Sequence, residues 1–280
     1  MTEFFSSAEN PEMAGGVQYH VRISRRDARR YALLPGDPER VAKISSMWDS
    51  RREVSRHRQY VVHVGRYKGV DLMAVSTGIG CPATAIAVEE LARVGVDTFI
   101  RVGSCGAIQS GVEVGDLVIS TAAVRLDGTS RQYVRIEYPA VANYEVVMAL
   151  IEAAEELGYR YHVGVTATTD SFYTGQGRKG FDGYFQSWMR SIVEDLRTAK
   201  VVNFEMESAT LFTLANLFGL RAGTVCAVYA QRVTNEFAVK GEREAIEVAN
   251  EAVRILHEWD NLKEKKGKKY LYPSLLGDSP

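Results

Sequence analysis

Short apolar runs alternate along this chain with stretches whose apolar residues recur at helical spacing, and glycine or proline marks most of the changes. Tyr31 to Leu34 reads as a short buried strand that runs into P-G-D-P-E-R-V-A-K-I. There Pro35 and Gly36 turn the chain, Asp37 caps a helix and Pro38 opens it. Val54 to Val75 divides into two or three strands, with alternation in Tyr60 to His63 and in Gly69 to Val75 and a K-G-V hairpin turn. Val75 to Ile108 reads as strand, tight glycine turn, helix from Pro82 to Gly95, strand, and a second turn of small residues, G-S-C-G, behind Arg101. Asp116 to Arg125 is a further strand, R-L-D-G-T-S-R a loop, and Asn143 to Leu157 a helix closed by Gly158. Val163 to Thr169 is a strand, and Lys179 to Lys200 a charged helical insertion. V-V-N-F-E-M-E is an apolar strand ending in Glu205 and Glu207 before a helix through Leu211, Leu214, Ala215 and Phe218. Gly223 to Tyr229 is a last buried strand, and Glu242 to Trp259 an amphipathic helix with Ile246, Ala249, Val253 and Leu256 on one face.

Strands alternating with helices make this an α/β chain, and without repeats or a linker its 280 residues form one domain. The expected organisation is a flexible N-terminal extension over 1–18, a folded domain over 19–260 and a charged, solvated tail over 261–280. With 46% hydrophobic and 25% charged residues the composition is that of a soluble globular protein. A net charge of -1 argues against a nucleic-acid or membrane-surface partner. No apolar run approaches the ~20 residues of a membrane span, and the acidic N-terminus is no signal peptide. Cys81, Cys105 and Cys226 are odd in number and lack C-x-x-C spacing, which fits a reducing cytoplasm. Without a histidine motif nearby they read as small apolar fillers rather than nucleophiles.

The two small-residue turns open at the carboxyl edge of a sheet, where ligands of open α/β sheets sit. Arg101, Gly103, Ser104 and Gly106 offer a cation, a hydroxyl and close backbone N–H groups to an anion. Gly78, Gly80 and Ala83 match G-x-G-x-x-A and have three readings: an oxyanion site, glycines that let helix and strand pack, or a dinucleotide site. The last wants an acid where Arg101 stands. Arg40 opposes the dipole in the first turn of its helix, which suggests a bound anion beside Gly36. D-S-F-Y-T-G-Q-G-R is either an exposed loop or a pocket for a planar ligand, with Phe172 to stack and Gln176 and Arg178 to hydrogen-bond. Glu205 and Glu207, two apart on an extended segment, face one side and either accept from sugar hydroxyls or cap the next helix.

In order from about His20 to Leu256, P-G-D-P-E-R, S-T-G-I-G-C-P-A-T-A-I-A-V-E-E-L, R-V-G-S-C-G-A-I, R-L-D-G-T-S, S-F-Y-T-G-Q-G-R and N-F-E-M-E-S-A-T resemble the nucleoside phosphorylase family I, in particular its uridine-directed members. The resemblance implies a three-layer αβα fold around a mixed central sheet. It also implies reversible phosphorolysis of uridine, with deoxyuridine and thymidine as further candidates. Gly36, Arg40, Arg101 and Ser104 would bind phosphate, with Arg58 reaching in from a neighbouring subunit of a hexamer built as a trimer of dimers. Glu207 and Met206 would hold the ribose, supported by Glu205, and the neighbour's His20 would meet the 5′-hydroxyl. Phe172, Gln176 and Arg178 would hold uracil, with Arg232 positioning Arg178.

Phosphate would be co-substrate and nucleophile, so the resemblance implies no metal and no other cofactor; catalysis would rest on Arg101, Gln176, Arg178 and Glu207. Ser104 stands for a threonine and keeps its hydroxyl. Ala83 and Gln59 stand where bacterial relatives carry a serine and a glutamate that help to bind an interface monovalent cation, which leaves that site open. Tyr229 and Ala230 are expected at the base end. Purine-directed members carry an aspartate after the last core strand, where this chain has Y-A-Q-R. The rival readings are a purine nucleoside phosphorylase, a nucleosidase, against which the arginines speak, and a non-catalytic nucleoside-binding protein.

Overall fold

The computed structural model describes residues 6–277. In chain order the strands are β1 (Glu12–Met13), β2 (Val17–Gln18), β3 (Tyr31–Leu34), β4 (Ser50–His57), β5 (Tyr60–Tyr67), β6 (Val70–Val75), β7 (Thr98–Ala107), β8 (Leu117–Leu126), β9 (Ala140–Val141), β10 (Tyr161–Thr169), β11 (Asn203–Glu205), β12 (Arg221–Gln231) and β13 (Glu236–Phe237). The helices are α1 (Pro38–Ser45), α2 (Cys81–Arg93), α3 (Thr129–Tyr133), α4 (Tyr144–Leu157), α5 (Ile192–Thr198), α6 (Ser208–Leu217), α7 (Glu242–Lys265) and α8 (Pro273–Leu276).

Period-two alternation in the central strands builds two cores. Tyr31 and Leu33, with Ile100 and Val102, face α1, α4 and α7, whereas Ala32 and Leu34, with Phe99, face α2 and α6. This is the expected three-layer arrangement, and the central sheet is mixed. Strand β3 runs parallel to β6 and β7, β7 parallel to β12, and β10 parallel to both β8 and β11. Strands β4, β5 and β6 form an antiparallel meander. Because β12 pairs with both β7 and β8, and β11 pairs antiparallel with β7, strands β7, β12, β8, β10 and β11 close into a ring. The open sheet edge assumed from the sequence is therefore a barrel mouth over part of its length.

Several sequence expectations need correction. G-S-C-G is no turn: β7 runs through it, because β12 pairs along all four residues and β11 joins on the other side at Gly106. The charged insertion holds one short helix, α5, preceded by 3₁₀ turns at Phe181–Gly183 and Ser187–Arg190. R-L-D-G-T-S-R contributes α3 rather than loop alone. In the N-terminal extension β1 pairs with β2 and Gln18 is buried, so the described part is tied down; residues 1–5 lie outside the described residues. The segment read as a solvated tail begins as the end of α7 and then returns to the body. Leu271 and Leu275 are buried, Leu271 N–H donates to Glu145 at 3.0 Å, and Tyr144 Oη donates to the Leu271 carbonyl at 2.9 Å. Its lysines hid two apolar anchors.

Candidate active site

Five separate stretches, with Gly78 and Ile79 from the turn before α2, converge on one cavity of about 460 Å³. The first is the turn between β3 and α1. Asp37 caps α1 by accepting from Glu39 N–H at 2.9 Å, Pro38 occupies the first turn, and Gly36 and Arg40 line the cavity. The second is β7, which carries Arg101 and, beyond it, Ser104, Cys105 and Gly106. Gly103 is required here by close approach: a Cβ would lie 2.7 Å from Cys226 Sγ and 2.9 Å from Arg101 Nη2, so the guanidinium folds back over bare backbone.

The third and fourth stretches supply carboxylates and base-side groups. Strand β11 ends at Glu205, and Glu207 stands at the head of α6, where the chain has left extended geometry. Both nevertheless reach Arg101. Its Nε donates to Glu205 Oε2 at 3.0 Å, and its Nη2 is ion-paired with Glu207 Oε2. Glu205 Oε2 also accepts from the N–H groups of Glu207 and Ser208, each at 2.9 Å, so it caps α6 as well as holding the arginine. Its other oxygen accepts from Thr168 Oγ1, and Glu207 Oε1 accepts from Gly80 N–H at 2.6 Å. Burial pushes the Glu207 carboxyl up, Arg101 pulls it down and Glu205 pushes it up again, and the net direction is upward. Arg101 is depressed by burial but raised further by Glu207 and Glu205, so it stays charged.

At the other end, Gln176 is buried and Arg178 Nη1 donates to its Oε1 at 2.5 Å and to the Phe172 carbonyl at 2.6 Å. The Arg178 guanidinium carbon stands 4.1 Å from the centre of the Phe172 ring. Arg232 Nη1 donates to the Gln176 carbonyl at 2.8 Å. Burial first, and then the positive charge of Arg232, push Arg178 down to about 10. The fifth stretch is the end of β12 with β13, which brings Tyr229, Ala230 and Phe237 to the wall.

A family model for the phosphorylase superfamily matches residues 30–258. The chain belongs to that superfamily. It is 64% identical over 277 residues to the uridine phosphorylase of Thermococcus kodakarensis, covering 99% of this chain and 100% of the relative. The Escherichia coli uridine phosphorylase is 41% identical over 246 residues, with coverage of 85% and 97%. A guanosine phosphorylase from Halorubrum lacusprofundi is 43% identical over 211 residues, covering 75% and 82%.

Seen as a phosphorylase-superfamily cavity, the wall includes Gly36, Arg40, Arg101, Ser104, Phe172, Gln176, Arg178, Glu205, Met206 and Glu207 from the sequence reading. Arg232 braces it from behind. His20 and Arg58 do not line it. His20 Nδ1 pairs with Glu90 at 2.6 Å, and Arg58, at φ 54°, lies over Tyr19, whose ring packs on His20 at 4.6 Å. Tyr229 and Ala230 separate. Ala230 Cβ lies 3.6 Å from where a side chain at Gly106 would begin, and Arg178 Nη2 3.7 Å from it, whereas the Tyr229 hydroxyl lies 3.4 Å from Arg40 Nη2. Tyr229 thus belongs to the opposite end from the one expected. The compensating anion inferred for Arg40 is also present as a side chain: its Nη2 pairs with Glu242 at 2.9 Å.

Sequence reasoning missed Glu242, Thr168 and Phe237; Gly80, read as part of an oxyanion turn, donates instead to the Glu207 carboxylate. An acid in the first turn of α7 is what any helix prefers, so nothing set Glu242 apart. The three cysteines are buried, and burial pushes the Cys81 and Cys105 thiols well up, in keeping with a packing role.

Proposed function

We propose that this chain catalyses reversible phosphorolysis of uridine: a phosphate oxygen forms the new bond to C1′, the glycosidic bond breaks with its electron pair going to the base, and uracil and ribose 1-phosphate result. The observation that carries the reading is that one cavity holds, in succession, the groups suited to phosphate, ribose and a planar base. The identity shared with relatives named uridine phosphorylase supports it.

Phosphate takes the end formed by Gly36, Arg40, Ser104 and Arg101. Arg101 Nη1 lies 3.9 Å from the Cβ position of Gly36, so it faces the turn while Nε and Nη2 are held by the glutamates. Ribose takes the middle. Glu207 accepts from its hydroxyls beside Met206, and Glu205 keeps Arg101 and the head of α6 in place. Uracil lies against Phe172 within reach of Gln176 and Arg178. As the glycosidic bond lengthens, negative charge grows on the base, and Arg178, still cationic at neutral pH, stabilises it in a half-buried site. Phosphate is itself the nucleophile, so no covalent residue, metal or further cofactor enters this scheme.

His20 and Arg58 serve the cavity of a second copy, which makes the working form an oligomer, a hexamer built as a trimer of dimers. The reading places the enzyme in the cytoplasm, in pyrimidine salvage. The Halorubrum relative's name favours a second reading, phosphorolysis of a purine nucleoside. Against it, Y-A-Q-R, which stands where purine-directed members carry an acid, has none; Gln231 at the end of β12 donates to the Gln109 and Val112 carbonyls at 2.9 and 2.5 Å.

The test is uracil release from uridine with and without phosphate, with inosine and guanosine alongside. Phosphate-dependent cleavage confined to pyrimidine nucleosides supports the proposal. Cleavage of the purine nucleosides shifts the base assignment, and phosphate-independent cleavage would make the chain a nucleosidase.

A further inference from the structure

Helix α7 begins directly behind the phosphate end of the cavity. Arg40 Nε donates to Glu242 Oε2 at 3.0 Å, and Arg40 Nη2 lies 2.9 Å from the same oxygen. Tyr229 Oη donates to that oxygen at 3.0 Å and accepts from Arg40 Nη2 at 3.4 Å. Arg40 Nη1 donates to the Val102 carbonyl at 3.1 Å, which ties the group to β7 one residue beyond Arg101. Arg40 and Tyr229 line the cavity, and Glu242 does not.

An arginine side chain has many rotamers, and most would turn this guanidinium away from Gly36. Held along its Nε–Nη2 edge by a carboxylate and a phenol, and at Nη1 by the Val102 carbonyl, the guanidinium is fixed in one orientation at the cavity wall. A carboxylate this close to a phosphate site costs binding through repulsion unless its charge is met. Lys43, one turn further along α1, meets it by donating to Glu242 Oε1 at 2.5 Å, so Arg40, Lys43 and Glu242 together keep one net positive charge. Helix α1 thus supplies both the ligand-facing cation and the cation that balances its anchor.

Resting on the phosphorolysis reading, we propose that Glu242 is a positioning residue for phosphate, acting through Arg40, with Tyr229 as the bridge between them. A hydrogen bond to a charged group contributes about 1.5–3 kcal/mol, and about 1.4 kcal/mol is tenfold in an equilibrium constant.

Initial rates are measured with phosphate varied at saturating uridine and uridine varied at saturating phosphate. Glu242→Ala is expected to raise the KM for phosphate about tenfold or more and to leave the KM for uridine within about twofold. Glu242→Gln, which keeps an acceptor at the same reach, restores most of the loss. Tyr229→Phe raises the phosphate KM alone, by about threefold or more, because the phenol bridges two charged groups that still pair directly without it. Arg243→Ala on the same turn, a side chain paired with Glu247 at 2.7 Å, changes neither constant. An unchanged or lowered phosphate KM in Glu242→Ala overturns the proposal, as does a parallel rise in both constants, the mark of general loosening. If Glu242→Ala does not melt cooperatively, Tyr229→Phe decides, and an unchanged phosphate KM there is equally fatal. The wild-type rate without phosphate is the separate check on the underlying reaction.

Discussion

Arg178 and Arg232 stand together at the Gln176 end of the cavity without an ion pair among the described residues, and burial lowers both. Two half-buried cations with no counter-charge are costly in a resting protein and useful only when negative charge arrives. Arg178→Ala should therefore lower kcat/KM for uridine by about 10²–10³, the usual effect of removing one donor to a developing anion. The phosphate KM should stay within about threefold, since Arg178 lies away from that end. Steady-state rates decide it, and a change confined to the phosphate KM would remove Arg178 from the base site. Gly103→Ala acts by size alone. The new methyl meets Cys226 Sγ and Arg101, so a loss of about 1–3 kcal/mol in stability is expected from overpacking, with activity falling as Arg101 shifts. Unchanged melting and unchanged rates would mean that the strand gives way freely. Much of this scale was legible in the sequence, because Arg40 stood where charge is locally unfavourable, Arg101 preceded a run of small residues, and Phe172, Gln176 and Arg178 shared one glycine-rich stretch. Glu242 and Thr168 were not, because each looks ordinary within its own element.

At the scale of elements, the sequence announced strands and helices by period and caps, and most of them formed. The failures share a cause. G-S-C-G has turn composition, but the ladder to β12 overrides local preference, and Gly103 leaves room for the guanidinium folded over it. The insertion over 179–200 has helical charge patterning without an apolar stripe wide enough to bury, so little of it is helix. Helix α1 is the opposite case, short yet well specified, and its cap is the point to test. Asp37→Ala should cost about 1 kcal/mol of stability and raise the phosphate KM more than the uridine KM, since α1 carries Arg40. Equal effects on both constants would show that the cap matters only to folding.

For the whole molecule, a network far from the cavity ties the C-terminal segment to the sheet. Arg221 pairs with Asp260 at 2.7 Å and with Glu145 at 3.2 Å, and Lys263 pairs with Asp260 at 3.1 Å. Burial would raise the Asp260 carboxyl, but Arg221, Tyr31 and Arg30 outweigh it and bring it from 3.8 to about 2. A carboxyl depressed in the folded state gives stability that is present above its unfolded value and lost as pH falls through the folded one. Asp260→Asn should therefore melt below the wild type at neutral pH, and the gap should narrow between about pH 4 and pH 2. Calorimetry across that range is the measurement; a gap that stays constant would mean that packing, not charge, links Asp260 to the fold.

The closed ring of strands has a consequence for how the protein comes into being. The strand carrying Arg101 is completed on one side by residues 203–204 and on the other by residues 221–231. Pairings this distant in sequence make for slow assembly, since long loops must close before any contact rewards them. A nascent chain halted before residue 203 owns the glycine turn and Arg40, Arg101 and Arg178, yet has neither the carboxylates that hold Arg101 nor the wall formed by Tyr229, Ala230 and Phe237. The cavity is therefore closed only once residues through Phe237 have been made and folded.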